Sequence, residues 1–151
     1  MPTLATNKRV PHDYSILEKL EVGIVLTGPE VKAVKNGQIN LIGSHISIDR
    51  HSEAWLIGAH ISPYRPASSV QTDYDATRSR KLLLGKIEID FLLGKEKERG
   101  LTILPLSVYT KGSLIKVGIG ICRGKRQFDK RESIKRRDVD RQIQRTLRKK
   151  G

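Results

Sequence analysis

The stretch LTILPLSVYTKGSLIKVGIGICRG, residues 101–124, decides the fold. Two apolar runs flank the turn sequence TKGS, which is the pattern of a β-hairpin. Gly118 and Gly120 occupy alternate positions of the returning strand, where small residues let a strand coil as tightly as a small barrel requires. The stretch therefore predicts a long hairpin within a small barrel.

Three segments on the N-terminal side continue this pattern. Residues 14–26, YSILEKLEVGIVL, predict a strand in which Gly23 marks a bulge or bend. The sequence GPEVKAVKNG predicts a short helix over residues 29–36, because Pro29 suits a first turn and Gly37 a terminator. The runs LIGSHISIDR and EAWLIGAHISPY flank the polar turn DRHSE and predict a second hairpin.

Residues 65–100 are less regular. Residues 65–80 have few apolar residues and many turn formers, which predicts a surface loop. The sequence KLLLGKIEIDFLLGKEKERG, residues 81–100, predicts a helical hairpin or a helix broken near Gly85. The alternation in KIEID leaves a strand as the alternative for that part.

These elements amount to five or six strands, a short helix after the first strand and a longer helical insert before the last hairpin. We therefore expect a mainly β fold: a small antiparallel barrel of the oligonucleotide-binding type with peripheral helices and a basic C-terminal tail. The expected division is a barrel over residues 1–128 and a tail over residues 129–151.

The charge of the chain points to a polyanionic partner. The 151 residues carry a formal net charge of +13, and residues 123–151 contain thirteen basic and four acidic residues, a net +9. A field of this sign favours nucleic acid first and an anionic membrane surface second. No apolar run approaches the ~18 residues that span a bilayer. The apparent lack of a secretory signal and the single cysteine, Cys122, predict a cytoplasmic protein without disulfides.

The tail has the features of a helix that needs a partner. Asp129, followed by Glu132, resembles a capping box, and apolar residues recur only thinly at 134, 139, 143 and 147. So small an apolar stripe does not offset the entropy of ordering a highly charged segment. We expect the tail to be disordered alone and helical against a polyanion.

Catalytic and metal-binding patterns are not evident. His12, His45, His51 and His60 lack the close spacing of zinc ligands, and the glycines of GIGICRG fail the spacing of a dinucleotide loop. Asp73 and Asp75 are interpreted as solvated loop acids rather than nuclease carboxylates. We expect a protein without cofactor, metal or catalytic activity.

Basic residues supply the candidate RNA contacts. Arg78, Arg80 and Lys81 form one cluster, and Lys8 and Arg9 form another, each suited to phosphates. Aromatic residues make up only 5% of the chain, so recognition of a folded RNA by shape is favoured over stacking along a single strand. The strand positions of Tyr14, Trp55, Tyr64 and Tyr109 favour the core or its rim over RNA contact. Phe128 suits base stacking and packing against the barrel about equally.

Six segments resemble, in order and spacing, the bacterial small protein B (SsrA-binding protein) family: NKRVPHDY, EVGIVLTGPEVKAVKNGQINL, HISPY, DATRSRKLLLGKIEI, GLTILPLSVY and KVGIGICRGKRQFDKRESIKRRD. The resemblance implies a barrel that binds the tRNA-like domain of transfer-messenger RNA and brings it to the A site of stalled ribosomes. It also implies a tail that enters the vacant mRNA channel of the small subunit. Peptide transfer would belong to the ribosome.

The resemblance also implies particular contact residues. On the barrel they are Asn7, Glu21, Lys81 and Leu83, to which the charge pattern adds Lys8, Arg9, Arg78 and Arg80. From the sequence pattern alone, Leu83 would be a core residue. For the decoding centre and the mRNA channel, the implied and basic residues are Lys125, Phe128, Asp129, Lys130, Arg131, Lys135, Arg136 and Arg137. Pro11, Gly85 and Phe128 depart from the residues usual in the family.

Two functions from different classes stay open on these residues. One is an RNA-delivery and ribosome-rescue factor, and the other is a structural constituent of the ribosome with a basic extension. Selective binding of a tRNA-like fold would favour the first, and stoichiometric retention on ribosomes at high salt the second. We expect the free protein to be a monomer, because no apolar stripe is evident on the body.

Overall fold

The computed structural model describes residues 2–64 and 73–125. The strands in these ranges are β1 (Thr3–Thr6), β2 (Tyr14–Ile24), β3 (Ile39–Asn40), β4 (His45–Ile48), β5 (Ala54–Ile57), β6 (His60–Ile61), β7 (Arg80–Leu83), β8 (Leu101–Lys111) and β9 (Leu114–Gly124). The helices are α1 (Arg9–Asp13), α2 (Gly28–Lys35) and α3 (Lys86–Lys97). The predictions for residues 65–72, for Phe128 and for the tail over 129–151 lie outside the described residues.

Antiparallel pairing closes the main sheet into a barrel. The strand order is β1-β8-β4-β5-β7-β2-β9, and β8 also pairs with β9. Six strands of the described ranges therefore form a ring. β1 pairs with the C-terminal half of β8 at Ser107, Val108 and Tyr109. Only one residue pair joins β4 to β8, Ile46 with Ile103, so the ring is partly open there. The predicted oligonucleotide-binding-type barrel is confirmed.

The long hairpin is present as predicted. β8 and β9 pair from Leu101 with Arg123 to Lys111 with Leu114. The register shifts between Pro105 and Ser107, which leaves Leu106 as an extra residue on β8. Gly120 lies beneath this residue: a Cβ there would be 2.9 Å from Leu106 Cδ1. A side chain at position 120 would therefore displace the bulged Leu106 side chain, which occupies the space of the missing Cβ.

This contact gives a prediction with a matched control. We expect Gly120→Ala to lower the free energy of unfolding by about 1–3 kcal/mol, since the added methyl overpacks Leu106. Gly94 lies within α3 and its Cβ would meet nothing within 4 Å. Gly94→Ala should therefore raise the free energy of unfolding by about 0.5–1 kcal/mol. Urea denaturation of both variants compares them; equal effects would contradict this packing argument.

Two local predictions are wrong. The irregularity in β2 lies between Ile16 and Glu18, whereas Gly23 keeps regular pairing with Lys116. Residues 81–83, predicted as helix, belong to β7, which pairs with both β2 and β5. The following KIEID is helical, because α3 begins at Lys86 and the Glu88 carboxylate accepts the Gly85 N–H at 3.0 Å. The chain thus changes from strand to helix at Gly85.

The interior of the barrel is apolar. Its buried side chains include Val22, Ile46, Leu56, Leu82, Ile103, Val117, Ile119 and Ile121. α2 packs Ala33 and Val34 into this core, and α3 contributes Ile89 and Leu92. A smaller cluster of Val10, Leu104 and Cys122 lies under α1. Burial raises the pKa of the Cys122 thiol to about 11, so the residue acts as a small apolar side chain.

Candidate nucleic-acid interface

The alternation of the strands produces a polar outer face. Val22, Leu82 and Val117 point into the core, so their neighbours point outward. We call this surface the outer face; it consists of Glu21 and Gly23 on β2, Lys81 and Leu83 on β7, Tyr109 and Lys111 on β8, and Lys116 on β9. It brings together three of the residues that the resemblance implied for RNA contact: Glu21, Lys81 and Leu83.

Leu83 lies exposed on this face. Gly23 pairs with Leu83 on one side and with Lys116 on the other. The side chain of Leu83 crosses over Gly23, where a Cβ would lie 3.4 Å from Leu83 Cβ. Leu83 is 53% exposed, so the core position expected from the sequence pattern is wrong. An exposed leucine beside lysines offers apolar contact within a basic surface.

Lys81 is held on the same side of β7. Its Nζ lies 2.9 Å from Glu53 Oε2, and both side chains are about 40% exposed. On the neighbouring strand β5, Trp55 is the cross-strand partner of Lys81. The Trp55 indole N–H donates a hydrogen bond to Asp49 Oδ2 at 2.9 Å. The half-buried Trp55 is thus the cross-strand neighbour of a lysine whose side chain is exposed to solvent. Trp55 lies between the buried Ala54 and Leu56 on β5, so its half-buried side chain lies on the outer side of the sheet and not in the core.

Glu21 has two hydrogen-bond donors on the neighbouring hairpin. Its carboxylate accepts from the Tyr109 hydroxyl through Oε2 and from Lys111 Nζ through Oε1, the latter at 3.1 Å. Bonds from Tyr109 and then Lys111 lower the pKa of Glu21. Burial, and then the bond to Glu21, raise the pKa of Tyr109 to about 12. At neutral pH the pair is therefore a carboxylate and a phenol.

A buried ion-pair cluster lies behind β7. Glu30 of α2 accepts from Arg80 Nη2 at 2.7 Å and Nε at 3.0 Å, and Arg78 donates to it through Nε at 3.1 Å and through Nη2. The Tyr74 hydroxyl accepts from Arg80 Nη2 at 2.8 Å and lies 3.0 Å from Glu30 Oε2. Arg80 also donates to Ala59 O at 2.9 Å. We call these four residues, Glu30, Tyr74, Arg78 and Arg80, the Glu30 cluster.

The Glu30 cluster determines which of the predicted basic residues reach the surface. Arg80 is fully buried, so its guanidinium offers no surface to phosphate in this structure. The side chain of Arg78 keeps 35% exposure while it pairs with Glu30. Sequence reasoning grouped both arginines with Lys81 as a surface cluster, yet only Lys81 reaches the outer face. The sequence analysis did not identify Glu30 as the partner of these two arginines. Glu30 occupies the N3 position of α2, and its carboxylate also accepts a hydrogen bond from the Thr27 N–H at 3.0 Å.

Asn7 has a structural position at the other side of the barrel. It is 4% exposed, and its Nδ2 donates to Leu41 O at 3.2 Å and to Pro105 O at 3.1 Å. Its Oδ1 has no partner among the described residues. Lys8 and Arg9, which follow at the start of α1, are exposed. This places a small basic surface at α1, apart from the outer face.

The base of the tail is anchored near α1. Lys125 donates its backbone N–H to Asp13 O at 2.9 Å and its Nζ to Pro11 O at 3.1 Å. The other tail residues named from the sequence, Phe128, Asp129, Lys130, Arg131, Lys135, Arg136 and Arg137, lie outside the described residues.

Sequence reasoning missed Tyr109, Lys111 and Lys116. The available signal was alternation: in the returning strand, Val117 and Ile119 are buried, so Lys116 must point outward. The positions of Tyr109 and Lys111 follow from pairing, since Tyr109 is opposite Lys116. Only the cross-strand register shows that both reach Glu21.

The histidines and loop acids considered for metal binding or catalysis are not brought together in the described ranges. His12, His45, His51 and His60 are exposed, as are Asp73 and Asp75. Among residues 2–64 and 73–125, no group of three or more His, Cys, Asp or Glu could hold a metal ion. None of the helices described is both long enough and apolar enough to span a membrane.

The partly open antiparallel ring, the basic chain and the lysine-bearing outer face together define a nucleic-acid-binding barrel of the oligonucleotide-binding type. The family model for SmpB protein matches residues 4–149. This chain belongs to the SmpB family.

Relatives and a solved structure agree with this assignment. The chain is 50% identical over 144 residues to the SsrA-binding protein of Sulfurihydrogenibium sp. (strain YO3AOP1), covering 95% of this chain and 93% of that protein. It is 48% identical over 144 residues to the SsrA-binding protein of Enterococcus faecalis (strain ATCC 700802 / V583), covering 95% and 92%. A chain of the solved structure "tmRNA-SmpB: a journey to the center of the bacterial ribosome" is 40% identical, with a TM-score of 0.68, over 87% of this chain and 94% of that chain.

Proposed function

We propose that this protein is an RNA-binding factor of trans-translation, which binds the tRNA-like domain of transfer-messenger RNA and delivers it to the A site of stalled ribosomes. The observation that carries the proposal is the likeness to the chain of the tmRNA-SmpB structure, at 40% identity over 87% of this chain. The basic composition and the barrel are what such a partner requires.

The proposal divides the work between barrel and tail. Glu21, Lys81 and Leu83 contact the RNA on the outer face, where Lys116 adds a fourth contact. Lys8, Arg9 and Arg78 contribute phosphate contacts, while Asn7 and Arg80, both buried, position the backbone that presents these residues. The tail residues from Lys125 to Arg137 probe the mRNA channel and decoding centre. Phosphate contacts of this kind supply affinity, and the shape of the outer face supplies selectivity for the folded RNA.

The protein itself performs no chemistry in this proposal. Peptide transfer takes place at the catalytic centre of the ribosome, and neither a metal nor a cofactor is needed for binding and delivery. The site of action is the cytoplasm, where the ribosomes are.

A truncated chain tests the proposal. We expect full-length protein to support transfer of the nascent peptide onto charged transfer-messenger RNA on ribosomes stalled without mRNA in the A site. A chain ending at Lys125 should bind the RNA and lose the transfer, because the tail's contacts are gone. Transfer unchanged by truncation would contradict the role of the tail. Stoichiometric retention on ribosomes at high salt without transfer-messenger RNA would instead favour a structural constituent.

A further inference from the structure

Trp55 is an aromatic side chain on the solvent side of the barrel. Its cross-strand partners are Lys81 on β7 and Ser47 on β4. Because residues directly opposite each other in a sheet lie on the same face, these three side chains form one row. Lys81 belongs to the outer face, so Trp55 adjoins that face on the side of β4. The sequence pattern had favoured the core or its rim for this residue over RNA contact.

The turn between β4 and β5 fixes the orientation of the indole ring. The indole N–H donates to Asp49 Oδ2 at 2.9 Å, and Asp49 Oδ1 accepts from the backbone N–H of His51 at 2.8 Å and of Glu53 at 3.0 Å. Bonds from Glu53 and then from Trp55 lower the pKa of Asp49, so the acceptor is a carboxylate at neutral pH. A ring held in this way loses little conformational entropy when a ligand packs against it.

The charges around the ring suit a ligand that combines phosphates with aromatic bases. Lys81 keeps about 40% of its side chain exposed while its Nζ pairs with Glu53, and Arg50 in the same turn as Asp49 is exposed. In the part of the chain that the structure describes, no lysine or arginine lies over the ring of Trp55. The cations are therefore beside the indole, where they attract a phosphate backbone without covering the ring.

We propose that Trp55 stacks on one unpaired base of the bound RNA, with Lys81 beside it attracting the adjacent backbone phosphate. Every base has a π-face, so this contact adds affinity without selecting a particular base. A single stacked base is compatible with recognition of a folded RNA by shape, since folded RNAs present unpaired bases in loops and bulges. The inference rests on the proposed function.

The competing interpretation is packing within the protein alone. A tryptophan on the outside of a sheet packs against its cross-strand neighbours and stabilises the strand pair, and the bond to Asp49 stabilises the turn. Under that interpretation, bound RNA leaves the indole emission unchanged or shifts it to the blue by excluding water. A base stacked on the indole quenches the emission instead, so fluorescence separates the two interpretations.

Wild-type protein supplies the first test. Trp55 is the one tryptophan of the chain, so the intrinsic tryptophan emission reports on this position alone. We expect titration of the full-length protein with the tRNA-like domain to quench most of this emission, in step with binding measured independently. An unchanged emission, or a blue shift without loss of intensity, would overturn the inference.

Removal of single bases locates the contact. We would replace each unpaired nucleotide of the tRNA-like domain, one at a time, by an abasic nucleotide. At one position, wild-type protein should lose about tenfold in affinity, a value typical of one stacked base, and its emission should recover in the complex. Trp55→Thr should bind the intact RNA about tenfold more weakly, and the abasic change at that position should cost it less than about twofold more, since the two losses are not additive.

Ile57 provides the matched control. It lies two residues further along β5 on the same side of the sheet, so Ile57→Thr makes the same kind of change without removing an aromatic ring. This variant should retain the quench and change the affinity by less than about twofold. Circular dichroism confirms that each variant is folded. If Trp55→Thr does not fold, the quench of wild-type protein and its recovery on one abasic RNA decide the question.

The outcomes are distinguishable from those that test the proposed function. If wild-type protein prefers the tRNA-like domain to an ordinary RNA hairpin, yet its emission is not quenched or recovers at no abasic position, this inference alone is overturned. If wild-type protein shows no such preference, the proposed function and the inference fail together.

Discussion

Replacing Glu30 with glutamine is expected to lower the free energy of unfolding by about 3–5 kcal/mol, because the buried Arg80 loses its compensating charge. Glu30 is 1% exposed and Arg80 is fully buried, so water cannot take the place of the missing carboxylate oxygen. Urea denaturation monitored by Trp55 fluorescence measures the effect. Glu53→Gln is the matched control: it breaks an exposed pair with Lys81 and should cost less than about 1 kcal/mol.

Glu30 also makes the free energy of unfolding depend on pH. Burial raises the pKa of Glu30, but bonds from Arg78, Thr27 and Arg80 outweigh it and lower the pKa from 4.5 to about 2. The ionised carboxylate therefore stabilises the fold fully above about pH 4.5, and this contribution, about 3 kcal/mol, is lost as the pH falls toward 2. If Glu30→Gln does not fold, the acid profile of wild-type protein still tests the assignment. Stability unchanged between pH 4.5 and 2 would contradict it.

The second large effect is expected at Leu83 on the outer face. Leu83→Glu should weaken binding of the tRNA-like domain by about a hundredfold, because it removes an apolar contact and places a charge against phosphate, each worth about 1–2 kcal/mol. The free energy of unfolding should change by less than about 0.5 kcal/mol, since Leu83 is 53% exposed.

Ile87 on α3 provides the control for this prediction. It is 85% exposed and lies outside the outer face, so Ile87→Glu makes the same kind of substitution without a proposed contact. Binding should fall by no more than about threefold. Equal losses for Leu83→Glu and Ile87→Glu would indicate a general charge effect and contradict a defined contact at Leu83.

The elements with strong local patterns could be predicted from the sequence. β2, α2 and the β8–β9 hairpin follow from apolar runs, from a helix N-terminus with Pro29 and from a TKGS turn, respectively. β7 was mistaken for helix because its four residues, RKLL, are too few to establish a period. Its strand conformation is imposed by pairing with β2 and β5 on both sides, which is a tertiary effect.

The site was less predictable for the same reason. Charge alone selected Lys81, which does reach the outer face, but it also placed Arg80 on the surface, because nothing local marks Glu30 as its partner fifty residues earlier. Arg80 and Leu82 are buried, so the alternation along β7 directs Lys81 and Leu83 outward. Resemblance to the family suggested Glu21 and Leu83, and only the register of four strands shows that they share a face with Tyr109, Lys111 and Lys116.

The central claim is that the barrel, rather than the charge of the tail, recognises the RNA. A binding titration tests it most directly, with the tRNA-like domain of the cognate transfer-messenger RNA, full-length protein and a chain ending at Lys125. Two salt concentrations and an ordinary RNA hairpin as competitor separate selectivity from electrostatic attraction. We expect both proteins to bind tightly and to resist the hairpin, with a shallower salt dependence for the shorter chain. If truncation abolishes binding, or if the hairpin competes equally, the tail is a non-specific anchor and the claim is contradicted.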